Sequence, residues 1–135
     1  MDQSVAYGAL FTAFHLRCAA ICALTESGST TLWMSRHDVD IPIYALTPSA
    51  ATARRLALYR NVRPLHFTAG ADRDAALAGA ERLLLEKGVV SRGDLIVLTV
   101  GEPMGQAGGT NTLKIVRVGE HRSTDLEQVT DHHDI

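Results

Sequence analysis

Apolar residues in this chain come in short unbroken runs, separated by longer segments in which they recur every three or four positions. The runs are residues 19–24 (AAICAL), 41–46 (IPIYAL), 62–67 (VRPLHF) and 95–100 (LIVLTV). A strand that is apolar at nearly every position, rather than at every second one, is covered on both faces. Two of the runs carry proline, which cannot donate to a ladder. Pro42 is tolerated at the start of its strand, and Pro64 places its strand at a sheet edge or delays its beginning. Residues 113–118 (LKIVRV) alternate in part, as a strand exposed on one side does.

The intervening segments read as helices. Residues 2–17 set Val5, Ala9, Ala13 and Leu16 on one face, with Ala6, Leu10 and Phe14 beside them. Residues 28–37 bury Leu32 and Trp33. Thr47 as N-cap and Pro48 at the first helical position open a helix over 49–59. That helix aligns Leu56 with Tyr59 and leaves Arg54, Arg55 and Arg60 on polar faces. Asp72 or Asp74 opens a long helix carrying Leu77, Ala80 and Leu84, which Gly88 closes after the basic Lys87. Alternating strands and helices predict an α/β fold: three layers, α/β/α, around a mixed five-stranded sheet. No helix separates 95–100 from 113–118, and a parallel crossover needs a dozen or more residues. The first four strands are therefore parallel and the last is an antiparallel edge strand.

Composition narrows the picture. The 135 residues suit one domain, and 46% are apolar, yet no apolar run approaches the ~20 residues that cross a bilayer. Met1-Asp2-Gln3 is acidic where a secretory signal would be basic, so the chain reads as soluble and cytoplasmic. A net charge of −2 and spread-out basic residues argue against nucleic acid as a partner. Cys18 and Cys22 share a strand face if both lie in it; with no histidine beside them they read as small buried hydrophobes rather than a metal site. No GxxxxGK[ST], GxSxG or HExxH motif occurs. Asp131-His132-His133-Asp134 falls in a polar tail, 120–135, that reads as a mobile terminus.

Candidate chemistry sits in the turn Thr25-Glu26-Ser27-Gly28-Ser29-Thr30, between the first apolar run and the helix after it. A strand that enters a Ser/Thr/Gly turn and then a helix can cradle a phosphate: the first helical N–H groups lack partners, and the macrodipole favours negative charge there. Ordinary helix capping produces the same local pattern. A second segment, 101–111, holds four glycines, at 101, 105, 108 and 109. It exceeds the usual length of a connection, as functional loops often do. Both segments leave strands at the carboxyl end, where open sheets bind ligands.

Thr25-Glu26-Ser27-Gly28-Ser29-Thr30, Pro42-Ile43-Tyr44-Ala45-Leu46-Thr47-Pro48, Ala53-Arg54-Arg55-Leu56-Ala57-Leu58-Tyr59-Arg60, Gly101-Glu102-Pro103-Met104 and Gly109-Thr110-Asn111-Thr112 follow one another in this order. In that order they resemble the C-terminal domain of bacterial pyruvate kinases, over residues 3–119. The resemblance implies the same antiparallel last strand, a regulatory rather than a catalytic role, and a catalytic barrel as the partner domain. That barrel would transfer phosphoryl from phosphoenolpyruvate to ADP with Mg²⁺ and K⁺, and this segment would hold no catalytic residue of its own. It further implies an effector site at Thr25, Ser27, Gly28, Ser29 and Thr30, with Gly108, Gly109 and Thr110 closing over the ligand.

Members that answer to a sugar bisphosphate grip the second phosphate with a Trp and an Arg near positions 68–77, where this chain offers only Arg73. With Glu26 beside the first phosphate, the expected effector is a sugar monophosphate or AMP. A homotetramer is implied, with Leu113, Ile115 and Arg117 at the contact between C-terminal domains. A stand-alone phosphate sensor and a purely structural assembly module are the alternatives.

Overall fold

A computed structural model describes residues 2–37, 39–70, 72–101 and 110–120. The expectations for Gly105, Gly108 and Gly109 and for the tail beyond 120 lie outside them. The elements run α1 (Asp2–His15), β1 (Ala20–Leu24), α2 (Ser29–Ser35), β2 (Ile43–Thr47), α3 (Ala50–Leu56), β3 (Val62–His66), α4 (Arg73–Glu86), β4 (Leu95–Gly101) and β5 (Thr110–Arg117). The sheet order is β3-β2-β1-β4-β5, with β1–β4 parallel and β5 antiparallel against β4. Pro64 lies on β3, an edge strand, and β5 forms the other edge.

The direction of travel along the sheet decides the layers. From β1 the chain steps outward to β2 and β3, then returns across both to β4. Right-handed crossovers put the outward helices on one face and the returning helix on the other. Accordingly Met34 of α2 and Leu56 of α3 pack with Ile21, Ile43, Ala45 and Val97, under α1. Ala76, Leu77, Ala80 and Leu84 of α4 pack with Cys22, Tyr44, Leu46, Ile96 and Leu98 on the opposite face. The two cysteines therefore divide between the faces, because Cys18 precedes β1 instead of lying within it. Both are buried and unbridged, and burial raises both thiol pKa values.

Several boundaries move for identifiable reasons. Thr47 ends β2, and the N-cap of α3 is Ser49, whose hydroxyl accepts the Thr52 N–H at 3.1 Å. Thr47 Oγ1 instead accepts the Ser49 N–H. In α2 the fully buried residues are Thr30, Thr31 and Met34, while Leu32 and Trp33 are half-buried and Arg36 stacks on the indole at 4.8 Å. Helix α1 buries Ala6, Ala9, Leu10 and Ala13 but leaves Phe14 and Leu16 exposed. It stops because Arg17 turns left-handed at φ 55°, with Arg17 N–H on Phe14 O and Cys18 N–H on Ala13 O. That is a Schellman closure without its usual glycine. Helix α4 ends in the same closure with Gly88 at φ 72°, and starts on the Asp72 carboxylate as expected.

One buried carboxylate has no counterpart in the sequence reading. Glu81 of α4 is 1% exposed, and its Oε2 accepts the Gly119 N–H at 2.7 Å. This ties the turn after β5 to the helix beneath it. Glu81→Ala leaves the Gly119 N–H without that acceptor and is expected to cost about 2 kcal/mol in urea unfolding. Glu81→Gln, which keeps an acceptor, is expected to cost less.

Candidate functional site

Strand β1 is buried at all five positions and paired on both sides, so its carboxyl end has a fixed position. The Thr25 N–H on Leu46 O carries the ladder one residue further. The turn that follows folds on its own hydroxyls. Thr25 Oγ1 accepts the Gly28 N–H at 2.7 Å, and Ser27 Oγ accepts the Ser29 N–H at 3.3 Å. Gly28 then adopts φ 85°, and its carbonyl takes the Leu32 N–H and the Thr31 hydroxyl.

Helix α3 clamps the turn from the neighbouring crossover. The Thr52 hydroxyl donates to Glu26 O at 2.8 Å, and the Arg55 guanidinium donates to Ser27 O. Thr52 and Arg55 stand three residues apart, on one helix face. Leu56 packs so close that a Cβ on Gly28 would meet its Cδ2 at 2.6 Å. Gly28 thus answers two demands, a left-handed backbone and a tight approach.

The turn therefore carries the hydroxyls of Thr25, Ser27 and Ser29 with the Arg55 guanidinium on its Ser27 carbonyl, while Thr30 is fully buried. Helix α2 carries no acidic residue in its first turn. Hydroxyl and guanidinium donors on a fixed backbone suit an oxyanion such as a phosphate group. The Glu26 carboxylate is the opposing charge on the turn. Sequence reading put Arg55 on a solvated face or a subunit contact, with a phosphate role secondary; its spacing from Thr52, in a helix following the adjacent strand, was the available signal.

The second expected segment begins beside this turn. Gly101 pairs with Thr110 across a register shift at Val100/Gly101, so 102–109 leaves from β4 and returns on β5. Strand β4 is β1's direct neighbour, with Thr99 opposite Ala23. Thr110 is placed by its backbone. Of the expected contact residues, Leu113 is half-buried against the α1 side of the core, Ile115 is 45% exposed, and Arg117 is exposed. Arg117 donates to Gly93 O at 2.8 Å and pairs with Glu120 at 3.6 Å.

At the opposite, amino end of the strands lies an open groove of about 490 Å³, lined by Phe14, His15, Arg17, Cys18, Asp40 and Ile41. Burial raises the Cys18 thiol pKa, which lowers its thiolate fraction. Among the described residues, no group of three or more His, Cys, Asp or Glu comes together to hold a metal ion. No helix among them is long and apolar enough to cross a membrane.

Gly28→Ala forces both a strained φ and a collision with Leu56. The expected cost is about 2–4 kcal/mol in urea unfolding. A Gly28→Ala/Leu56→Ala double variant should lose less than the sum of its two single changes, because the cavity admits the added methyl.

Comparison with known proteins places this geometry. The family described as pyruvate kinase, alpha/beta domain matches residues 3–116. Pyruvate kinase II of Salmonella typhimurium is 40% identical over 119 residues, 87% of this chain and 25% of that protein. A pyruvate kinase of Buchnera aphidicola is 37% identical over the same lengths. One of Staphylococcus aureus is 42% identical over 109 residues, 81% of this chain and 19% of that protein. The chain thus spans about a quarter or less of these relatives. With the strand order and the turn at the end of β1 in place, the match over nearly the whole sheet settles the family: this chain belongs to the pyruvate kinases, as their C-terminal alpha/beta domain.

Proposed function

We propose that this domain is the regulatory and oligomerisation part of a pyruvate kinase, and that it binds a phosphorylated effector at the carboxyl end of β1. The observation that carries the reading is the Thr25–Thr30 turn, folded on its own hydroxyls and clamped by Thr52 and Arg55 of α3. In this reading the phosphate lies against Thr25, Ser27, Gly28, Ser29 and Thr30, with Arg55 supplying the countercharge. Gly108, Gly109 and Thr110 close the ligand in from the β4–β5 side. Glu26 disfavours a second phosphate nearby, so the effector is a sugar monophosphate or AMP. Phosphoryl transfer from phosphoenolpyruvate to ADP, with its Mg²⁺ and K⁺, belongs to a barrel domain of the parent protein. The effector regulates it by binding one arrangement of subunits better than another.

Self-association has its own support. Helix α1 turns Tyr7, Phe11 and Phe14 outward, 42%, 65% and 64% exposed, at i, i+4 and i+7. It rests on β5, where a Cβ on Gly8 would touch Leu113 Cδ1 at 3.7 Å. Ile115 is exposed on the same face of β5. An apolar stripe beside an unpaired strand edge suits a second copy across a two-fold axis.

Titration with ribose 5-phosphate and AMP, followed by thermal shift, tests the site. At 100 times Kd the ligand should add about 2.7 kcal/mol of stability. Arg55→Ala should lose most of that shift, while Arg54→Ala should keep it. No shift with either ligand in the unchanged chain contradicts effector binding. Phe11→Asp and Ile115→Asp should each lower the mass in solution to that of the monomer, measured by light scattering; an unchanged mass contradicts the contact.

A further inference from the structure

Three threonines stand on one face of the sheet at the carboxyl ends of three adjacent strands: Thr47 on β2, Thr25 just past β1, and Thr99 on β4. The register sets Thr99 opposite Ala23, two residues before Thr25 on the same side, and Ala45 opposite Ala23 beyond it. Two of the three hydroxyls are engaged by their own strand-to-helix turn: Thr25 Oγ1 takes the Gly28 N–H and Thr47 Oγ1 the Ser49 N–H. Thr99 lies within β4, two residues before its end. Its side chain is 0% exposed, and its Oγ1 has no hydrogen-bond partner among the described residues.

A hydroxyl buried without a partner destabilises a fold, and a valine of the same shape would not. What surrounds Thr99 is apolar: Ala23 opposite it on β1, Leu113 opposite it on β5, Val97 two residues earlier on the same strand face, and a helix α1 that faces this core with Ala6, Ala9 and Ala13. An unused donor in apolar surroundings, one strand from the Thr25–Thr30 turn, has its use in a polar group brought from outside.

We propose that Thr99 is a further ligand-binding residue of this site, its hydroxyl donating to an oxygen of the phosphorylated effector once the ligand enters between the ends of β1 and β4. The inference rests on the effector reading above and extends it inward along β4. The hydroxyl is kept at the expense of the ligand-free fold, and its hydrogen bond forms only in the complex. Thr25 and Thr47, already engaged, shape the turns instead.

Thr99→Val and Thr99→Ser in the full chain test this, with thermal unfolding alone and with ribose 5-phosphate, AMP or inorganic phosphate as probes. Thr99→Val should raise the melting temperature of the ligand-free chain by about 2–5 °C and weaken binding of the organic phosphates about tenfold. Thr99→Ser should bind as the unchanged chain does. A Thr99→Val chain that melts lower without ligand shows the hydroxyl to be engaged in the fold, and overturns the proposal. Unchanged affinity in Thr99→Val, with binding intact in the unchanged chain, overturns it while leaving the effector reading standing. No binding of any probe by the unchanged chain overturns both.

Discussion

Everything else in this domain depends on β1 being held from both sides. Its five residues are buried and hydrogen-bonded in parallel to β2 on one flank and β4 on the other, so its carboxyl end cannot shift without breaking two ladders. It is also where the order of strands reverses: the chain departs toward β2 and β3 and comes back to β4. At such a point the connections on the two sides lead away from each other and leave a crevice. The Thr25–Thr30 turn stands at that end, on a strand paired along both flanks.

Helix α3 converts this position into a chemical surface. A turn of Thr, Ser and Gly after a strand would be ordinary capping if it stood alone. Here the next crossover reaches back, with the Thr52 hydroxyl and the Arg55 guanidinium on two successive carbonyls of the turn and Leu56 pressed against Gly28. The carbonyls, which would repel an anion, are thus occupied by donors. The packing also explains why α2 begins with a glycine that makes no side-chain cap. Backbone shape and close approach outrank the stability that a capping hydroxyl would add at that position.

Much of this was legible in the chain. Unbroken apolar runs announced doubly covered strands, Pro64 announced an edge, and the missing helix before β5 announced the antiparallel strand. The turn at 25–30 stood out by its residue types. Signals that failed were those that depend on distant partners. Thr47-Pro48 looked like a helix start, but Thr47 is needed in the β2 ladder and passes the cap to Ser49. Phe14 and Leu16 looked like core by spacing, yet Phe14 shares the outward face of α1 with Tyr7 and Phe11, and Leu16 falls past the end of the helix. Glu81 was invisible as an anchor and Arg55 passed for a solvated or subunit-contact residue, because their partners, Gly119 and Ser27, lie 38 and 28 positions away in sequence. Local pattern reports a residue's neighbours along its own element and is silent about those across the sheet.

The central claim is that the carboxyl end of β1 and β4, not the groove at the amino end, holds a phosphate-bearing ligand. Backbone amide shifts of the isotopically labelled chain, recorded by NMR as ribose 5-phosphate is added, test it residue by residue. The account predicts saturable changes centred on residues 25–31, with smaller ones at 99–101 and 110–112, and none at 14–18 or 40–41. Changes confined to the groove around Phe14, Cys18 and Ile41, or none at residues 25–31 at saturating ligand, would contradict it.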